Sequence, residues 1–157
     1  MMSLVMPPPD DFTPEETVGF LLWDTTRAFT SRFSRRISRH GVTFGLWPYL
    51  RALWEQDGLT QRELSERVRM KGPTTVAAVN RLEKRGLVKR VNNTEDGRMI
   101  NVFLTDKGRE IYDLVMPEVV AINRQGVASL SREEQEQLKR LLRGLRGNII
   151  ADGRNGG

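Results

Sequence analysis

The chain has 157 residues, of which 38% are hydrophobic, and this composition suits one domain with a buried core. It contains no cysteine and a single histidine. Disulfides, thiolate metal sites, cysteine nucleophiles and thiol-based redox sensing are therefore excluded. The sequence also lacks a Gly-rich phosphate loop and any metal-ligand spacing, so we expect neither an enzyme nor a bound cofactor or metal.

No apolar run approaches the roughly 20 residues that are needed to span a bilayer. The first residues lack the basic and apolar segments of a leader peptide. We therefore expect a cytoplasmic protein without a membrane partner.

The positive charge of the chain is concentrated in one segment. The formal net charge is +5, but residues 67–98 hold nine Lys or Arg and three acidic residues, a net +6 that leaves about −1 for the rest. A cationic patch on a nearly neutral chain indicates a polyanionic partner, and nucleic acid is the first candidate. A membrane surface is the alternative, although basic clusters of that kind usually lie along one amphipathic helix.

Residues 1–11 include three consecutive prolines, and we predict a flexible arm there. Thr13 to Glu16 has the pattern of a capping box with Pro14 at the first helical position, and it predicts a long helix ending near Arg39. At about 1.5 Å per residue this helix would be close to 40 Å long, longer than such a domain needs for its own core. We expect it to pack against a second copy of the chain. The alternative is a helix that crosses a monomeric domain.

Two shorter helices are predicted next. Thr43 should begin a helix that ends at Gly58, and the capping box formed by Thr60 and Glu63 should begin another. The spacing from that helix to Pro73 leaves the short turn that a helix-turn-helix requires.

The following helix is predicted from Pro73 to Arg85, because Pro favours a first turn and the glycine at position 86 favours an end. Helical periodicity places Thr75, Val79 and Leu82 on one stripe. The opposite stripe carries small, polar and cationic side chains, namely Thr74, Ala77, Asn80, Arg81 and Lys84. Such a face suits the major groove of DNA. An ordinary solvated helix face is the alternative.

A β-hairpin is predicted after this helix. Residues 87–91 and 99–104 read as strands, and the sequence NNTEDG between them is rich in turn residues. Arg98 lies beside the tip, and we expect the Asp96 carboxylate to hold its guanidinium in a pose suited to a narrow minor groove. The order of helix, helix, strand, basic tip and strand is typical of a winged helix-turn-helix, with the hairpin as the wing.

Two more helices complete the chain. Thr105 should cap a helix from Asp106 to about Ser129, which Pro117 should kink or end. The capping box of Ser131 and Glu134 should begin the last helix, and the glycines at 144 and 147 predict fraying at its end. The apolar faces of these helices have no core of their own, so we expect them to build a dimer interface with the first long helix.

Three segments carry a resemblance to a known family: RLEKRGLVKR, the triplet at residues 96–98, and LTDKG at residues 104–108. Together they resemble the multiple antibiotic resistance regulator (MarR) family of bacterial transcription factors. The resemblance implies homodimers that bind pseudo-palindromic operators and, in many members, release DNA when a small aromatic acid binds. It also implies base contacts from Thr74, Val76, Ala77 and Arg81, and a minor-groove contact from Arg98. Many relatives carry Arg where this chain has Ala77, so contact with a thymine methyl group is the alternative at that position.

The predicted architecture is mainly α with a small β-hairpin (α+β). It is a winged helix-turn-helix with long N- and C-terminal dimerisation helices. Residues 12–40 and 105–147 form the predicted dimerisation region, residues 41–104 the DNA-binding region, and residues 148–157 a flexible tail. The predicted DNA contacts are Thr60, Gln61, Arg62, Pro73, Thr74, Thr75, Val76, Ala77, Asn80, Arg81, Lys84, Asp96 and Arg98.

An effector site is predicted from aromatic and cationic residues. Trp23 and Arg27 are four positions apart on one helix face, where a guanidinium beside an aromatic ring suits an aryl carboxylate. The resemblance places such pockets between the first helix, the second helix and the DNA-binding unit, which adds His40, Trp47 and Arg51. The alternatives are that Trp23 belongs to an interface core along which Arg27 extends, and that His40 is a helix cap or a surface residue.

The predicted function is a homodimeric transcriptional repressor that leaves its double-stranded operator when a small aromatic carboxylate or phenol binds. The alternative is an architectural or ligand-independent winged-helix protein. Its affinity for DNA would be set mainly by salt rather than by sequence.

Overall fold

The computed structural model describes residues 13–152, and this part of the chain contains six α-helices and one three-stranded antiparallel sheet. The helices are α1 (Val18–Ile37), α2 (Trp47–Glu55), α3 (Gln61–Val68), α4 (Gly72–Lys84), α5 (Asp106–Gly126) and α6 (Arg132–Asp152). The strands are β1 (Leu59–Thr60), β2 (Val88–Asn92) and β3 (Ile100–Leu104). The predicted winged helix-turn-helix is confirmed. The predicted arm at residues 1–11 lies outside the described residues.

The chain forms two compact units, the first ending at Val119 and the second starting at Val120, so that α5 crosses the boundary. The core of the first unit consists of aliphatic side chains from α2, α3, α4 and the sheet, and its fully buried members include Leu50, Leu53, Leu64, Val79, Leu82 and Val102. The end of α1 adds Phe33 and Ile37. Arg36 on α1 donates a 3.0 Å hydrogen bond to the carboxylate of Glu118 on α5. This core holds the helix-turn-helix and the wing in one body.

The sheet has the strand order β1, β3, β2. The hairpin of β2 and β3 is confirmed, with Val88 opposite Leu104 and Asn92 opposite Ile100. The sequence did not predict β1, because two residues are too short to show the alternation of a strand. Leu59 of β1 pairs with Val102, and this pairing fastens the wing to the connection between α2 and α3.

The first long helix begins later than predicted. Thr17, not Thr13, is its N-cap, and the Thr17 hydroxyl oxygen accepts a 3.2 Å hydrogen bond from the amide of Phe20. The extended backbone of Thr17 separates α1 from a short 3₁₀ turn at Pro14–Glu16. α1 therefore has 20 residues, which is about 30 Å rather than 40 Å.

The second helix also begins later than predicted. Thr43 lies in a turn, where its carbonyl accepts hydrogen bonds from the amides of Leu46 and Trp47. The helix starts at Trp47 because Pro48 occupies its first turn. Backbone N–H groups in the first turn have no acceptor within the helix, so the N–H that Pro lacks is not needed there.

The C-terminal helices end elsewhere than predicted, because α5 stops slightly before Ser129 and α6 extends beyond residue 147. α5 continues through Pro117 to Gly126, so the proline does not end it. The predicted capping box of α6 is confirmed, because the Ser131 amide donates to Glu134 at 2.7 Å and the Glu134 amide donates to the Ser131 hydroxyl at 3.2 Å. α6 runs to Asp152. The predicted start of a flexible tail at residue 148 is therefore wrong, and residues 153–157 lie outside the described part.

The capping box at the start of α3 gives the protein a pH-dependent contact. Glu63 accepts hydrogen bonds from the amide and the hydroxyl of Thr60, both at 2.8 Å. These bonds lower the pKa of the Glu63 carboxyl. A lowered folded-state pKa means that the stabilisation is present above the unfolded pKa of about 4.3 and is lost as the pH falls through the folded value.

A Glu63→Gln variant should retain an acceptor for the Thr60 amide but lose this titration. We expect its thermal stability to decline less than that of the wild type between about pH 5 and pH 3. Melting temperatures at each pH would measure the difference. Parallel acid profiles of the two proteins would contradict the assigned role of Glu63.

Candidate nucleic-acid interface

The two faces of α4 have the predicted character. Thr75, Ala78, Val79 and Leu82 are buried. The opposite face is exposed and carries Pro73, Thr74, Val76, Ala77, Asn80, Arg81 and Lys84. Pro73 lies in the first turn, and Gly86 takes a left-handed conformation with φ 70° just after the end. A helix with small residues near its N-terminal end and cations near its C-terminal end fits a major groove.

Two of the predicted DNA contacts are corrected by burial. Thr75 is 0% exposed, and its hydroxyl lies on the core side of α4. Thr60 is 8% exposed, and its hydroxyl donates to Glu63 while accepting the Glu63 amide at 3.2 Å. Thr75 therefore belongs to the core and Thr60 to the cap of α3. Neither side chain presents a free group to DNA.

Side chains build the tip of the wing. The amide oxygen of Asn93 accepts hydrogen bonds from the backbone amides of Glu95 and Asp96, at 2.8 and 3.0 Å. Asn93 also donates to the Asn101 side chain at 2.9 Å, and Asn101 donates to the carbonyl of Gly58 at 2.7 Å. These bonds connect the tip to the base of the sheet.

The role predicted for Asp96 is corrected. Its carboxylate accepts a 2.9 Å hydrogen bond from the backbone amide of Arg98 and does not bind the guanidinium. Asp96 therefore shapes the backbone on which Arg98 stands. The Arg98 side chain is exposed, and no ion pair holds its guanidinium within residues 13–152. A free guanidinium at a wing tip is able to enter a narrow minor groove.

The two predicted contacts on α3 differ in their surroundings. Arg62 is exposed and forms a 3.0 Å ion pair with Glu66 one turn later, a contact weak enough to be exchanged for a phosphate. Gln61 is half-buried, and its side-chain oxygen accepts a 3.3 Å hydrogen bond from Arg90.

The sequence did not predict Arg90 as a site residue. Its guanidinium donates to Glu83 at 2.6 Å and also to the side chains of Asn80 and Gln61. Arg90 thus connects the wing with both helices of the helix-turn-helix. Arg90 was counted only as part of the cationic patch, since a residue on β2 shows no periodic relation to residues on α3 and α4. Asn93 and Asn101 were also not predicted, because their side-chain contacts cross from one strand of the wing to the other and to Gly58.

The contacts among residues 13–152 do not bring the five predicted effector residues together into one site. The Arg27 guanidinium lies 5.4 Å from the centre of the Trp23 ring and pairs with Asp24 at 3.2 Å. Arg51 pairs with Glu55. The Nε2 atom of His40 is buried without a hydrogen-bond partner among residues 13–152.

Trp47 belongs to a chain of ring contacts inside the first unit. Its ring centre lies 5.4 Å from that of Phe33 and 5.7 Å from that of Trp54. Trp54 contacts Tyr112 of α5 at 5.2 Å and donates a 2.9 Å hydrogen bond to the carbonyl of Gly108. This chain connects α1, α2 and α5.

A surface groove of about 400 Å³ lies along α1 and is lined by Arg27, Ala28, Ser31, Arg32 and Arg35. Arg27 is its only lining residue from the predicted effector set. Within the described ranges no three acidic or histidine side chains approach closely enough to hold a metal ion. No helix between residues 13 and 152 is long and apolar enough to cross a membrane.

Comparisons with known proteins agree with this geometry. A family model described as the MarR family matches residues 40–99. A probable transcriptional regulator from Pseudomonas aeruginosa is 34% identical, with a TM-score of 0.78 over 83% of this chain and 98% of that one. The S. aureus MepR–DNA complex is 25% identical, with a TM-score of 0.80 over 84% and 98% of the two chains.

A third similar protein is the homoprotocatechuate degradative operon repressor of Escherichia coli, which is 27% identical over 81% of this chain and 86% of its own length. The family match lies on the helix-turn-helix and the wing described above. The similar structures extend the likeness to most of the chain. The chain belongs to the MarR family of DNA-binding transcriptional regulators.

Proposed function

We propose that this regulator is a homodimer that represses transcription by binding a pseudo-palindromic operator. The observation that carries the proposal is the pairing of an exposed polar and cationic face on α4 with a free Arg98 at the wing tip. The two features suit adjacent major and minor grooves. Repression is supported by the similar Escherichia coli protein, whose name describes an operon repressor. We further propose a cytoplasmic location and no enzymatic activity.

Exposed apolar side chains support dimerisation. On α1, Leu21 is 53% exposed and Trp23 is 59% exposed. On α6, Leu138, Leu141, Leu142, Ile149 and Ile150 are all exposed. Apolar surface in this amount favours association with a second copy of the chain. A two-fold symmetric dimer presents two copies of α4, which enter successive major grooves when they lie about 34 Å apart.

We propose a small aromatic acid as the effector. The similar Escherichia coli repressor is named for an operon that degrades homoprotocatechuate. Homoprotocatechuate is an aromatic acid. In this chain the Arg27 guanidinium beside Trp23 offers a cation next to a ring, which matches the two parts of an aryl carboxylate. His40 and Trp47 lie near the end of α1 and the start of α2, and Arg51 lies one turn further along α2. We retain these residues as the proposed effector set.

The proposed release mechanism is geometric. An effector that binds one dimer conformation more tightly shifts the population toward it. If that conformation has another spacing of the α4 helices, a differential binding energy of about 1.4 kcal/mol changes operator affinity tenfold.

Fluorescence anisotropy tests the proposed function. The purified protein would be titrated onto its own upstream DNA and onto a scrambled duplex of the same length at about 150 mM salt. We expect at least a thousandfold preference for the upstream DNA. Benzoate-like and cinnamate-like acids added to the specific complex should release the DNA.

The outcomes separate the parts of the proposal. Equal binding to both duplexes, governed by salt, would contradict the repressor and support an architectural protein. Specific binding that no aromatic acid affects would contradict the effector alone. Sedimentation of the free protein as a monomer at micromolar concentration would contradict the homodimer.

A further inference from the structure

The side chain of Arg90 lies where the wing meets both helices of the helix-turn-helix and is only 22% exposed. Its Nη1 donates to Glu83 Oε2 at 2.6 Å, its Nη2 donates to the Asn80 side-chain oxygen, and its Nε donates to the Gln61 side-chain oxygen at 3.3 Å. The backbone amide of Arg90 also donates to Glu83 Oε1 at 3.2 Å. The cation is therefore engaged by three side chains.

Arginine chemistry determines which way the two amides turn. A guanidinium has five N–H donors and no acceptor. The atom of an Asn or Gln amide that faces it must therefore be the oxygen. Asn80 and Gln61 consequently have their oxygens turned toward Arg90, which takes one of the two lone pairs of each oxygen, and their NH₂ groups turned away from it. Asn80 lies on the exposed face of α4 together with Ala77 and Arg81.

Glu83 keeps Arg90 in this position. Both carboxylate oxygens of Glu83 accept hydrogen bonds from Arg90, and a charge-assisted pair of this kind is stronger than a neutral hydrogen bond. The pair neutralises the Arg90 charge. Arg90 is therefore less suited to bind a phosphate than the exposed cations Arg81 and Lys84.

We propose that Arg90 determines base specificity indirectly, by holding the Asn80 amide with its oxygen toward the wing, so that the NH₂ group is the part that faces a base. The inference rests on the proposed function, in which the α4 face enters the major groove. An Asn that reads adenine with two bonds needs its oxygen to accept from N6 and its nitrogen to donate to N7. With its oxygen facing Arg90 and only its NH₂ group facing the base, Asn80 recognises acceptors: purine N7, guanine O6 or thymine O4.

This assignment makes a specific statement about the operator. At the base contacted by Asn80, cytosine is disfavoured because its major-groove edge presents an N4 donor. Adenine gains no advantage over guanine, since the second bond to its N6 group is absent. Arg90 acts here as a positioning residue, because it touches Asn80 and not the base.

The test is a base-preference profile. Relative affinities for all four base pairs at each operator position would be measured by competition for the wild type, Asn80→Ala and Arg90→Met. For the wild type we expect one position in each half-site at which cytosine is disfavoured about tenfold. Asn80→Ala should flatten that position alone. Arg90→Met should release the Asn80 amide and raise the preference for adenine over guanine there by about tenfold.

A double variant and modified DNA complete the test. In an Asn80→Ala background, Arg90→Met should no longer change the profile. If Arg90→Met fails to fold, Arg90→Lys replaces it, because the Lys ammonium keeps the charge that pairs with Glu83 but lacks the planar fork of donors that reaches Asn80 and Gln61 together. Duplexes with 7-deazapurines at the contacted base, which lack the N7 acceptor, should bind wild-type protein about tenfold more weakly and the Asn80→Ala variant unchanged.

A purely structural role for Arg90 would weaken binding to every sequence by the same factor, and that result would overturn the inference. So would an Asn80→Ala profile identical to that of the wild type. Failure of the proposed function is distinguishable, because the wild type would then bind operator and scrambled duplexes equally. That outcome would overturn both.

Discussion

Replacing Gly108 with alanine should destabilise the protein by about 3 kcal/mol, because overpacking at a site with no room costs 1–3 kcal/mol or more. A Cβ atom built on Gly108 would lie 2.0 Å from the carbonyl oxygen of Leu87 and 3.2 Å from the Leu104 side chain. The neighbour at 2.0 Å is backbone at the start of the wing. The Leu87 carbonyl also accepts the amide of Thr105 at 3.1 Å, so it has little freedom to move away.

Chemical denaturation of Gly108→Ala would measure this loss. Gly126→Ala is the matched control on the same helix, since a Cβ there meets nothing within 4 Å. An exposed Gly to Ala change in a helix should be neutral or stabilise by up to about 1 kcal/mol. Equal stability of the two variants would mean that the contact of α5 with the wing is looser than described.

A second large effect is expected on DNA binding. Arg98→Ala should weaken operator binding by roughly tenfold to a hundredfold, because it removes the guanidinium from the minor groove. The melting temperature should change little, since the Arg98 side chain is exposed and exposed substitutions of this kind usually change stability by less than about 0.5 kcal/mol. Anisotropy on operator and scrambled duplexes would measure both specific and non-specific affinity.

Arg98→Lys is the control for charge. Lysine keeps the positive charge but is a compact, strongly hydrated group, so we expect it to restore only part of the specific affinity. Full recovery with lysine would indicate an ordinary phosphate contact in place of minor-groove insertion. Undiminished binding by Arg98→Ala would exclude the wing tip from the interface.

The helix-turn-helix was predictable because its signals are local. The Thr60 and Glu63 capping box, the start near Pro73 and the left-handed glycine at position 86 each act within one helical turn. The start of α3 after Thr60 is confirmed, and α4 at Gly72–Lys84 lies within one residue of the predicted Pro73 to Arg85. The start of the first long helix was predicted wrongly. The capping pattern at Thr13 begins only a short 3₁₀ turn, and the structure uses Thr17 as the cap of α1.

Which side chains face the DNA was only partly predictable from the sequence. Helical periodicity placed Thr75 with the buried residues, yet Thr75 was also among the predicted DNA contacts. In the structure Thr75 is fully buried and therefore belongs to the core. The periodicity of a helix predicts which side chains share a face, but the packing around that helix determines how wide the buried face is.

By itself the sequence determined the class of the protein, a cationic winged helix-turn-helix flanked by amphipathic helices. These properties follow from composition, periodicity and capping patterns, which are local along the chain, and the resemblance of three short motifs added the MarR family. Only the tertiary structure decided the functional details of the interface. Arg90 meets Gln61 across 29 positions, and Gly108 meets Leu87 across the junction of wing and α5. Such contacts join residues that are distant in sequence. No local pattern predicts them, because only the folded chain brings these residues together.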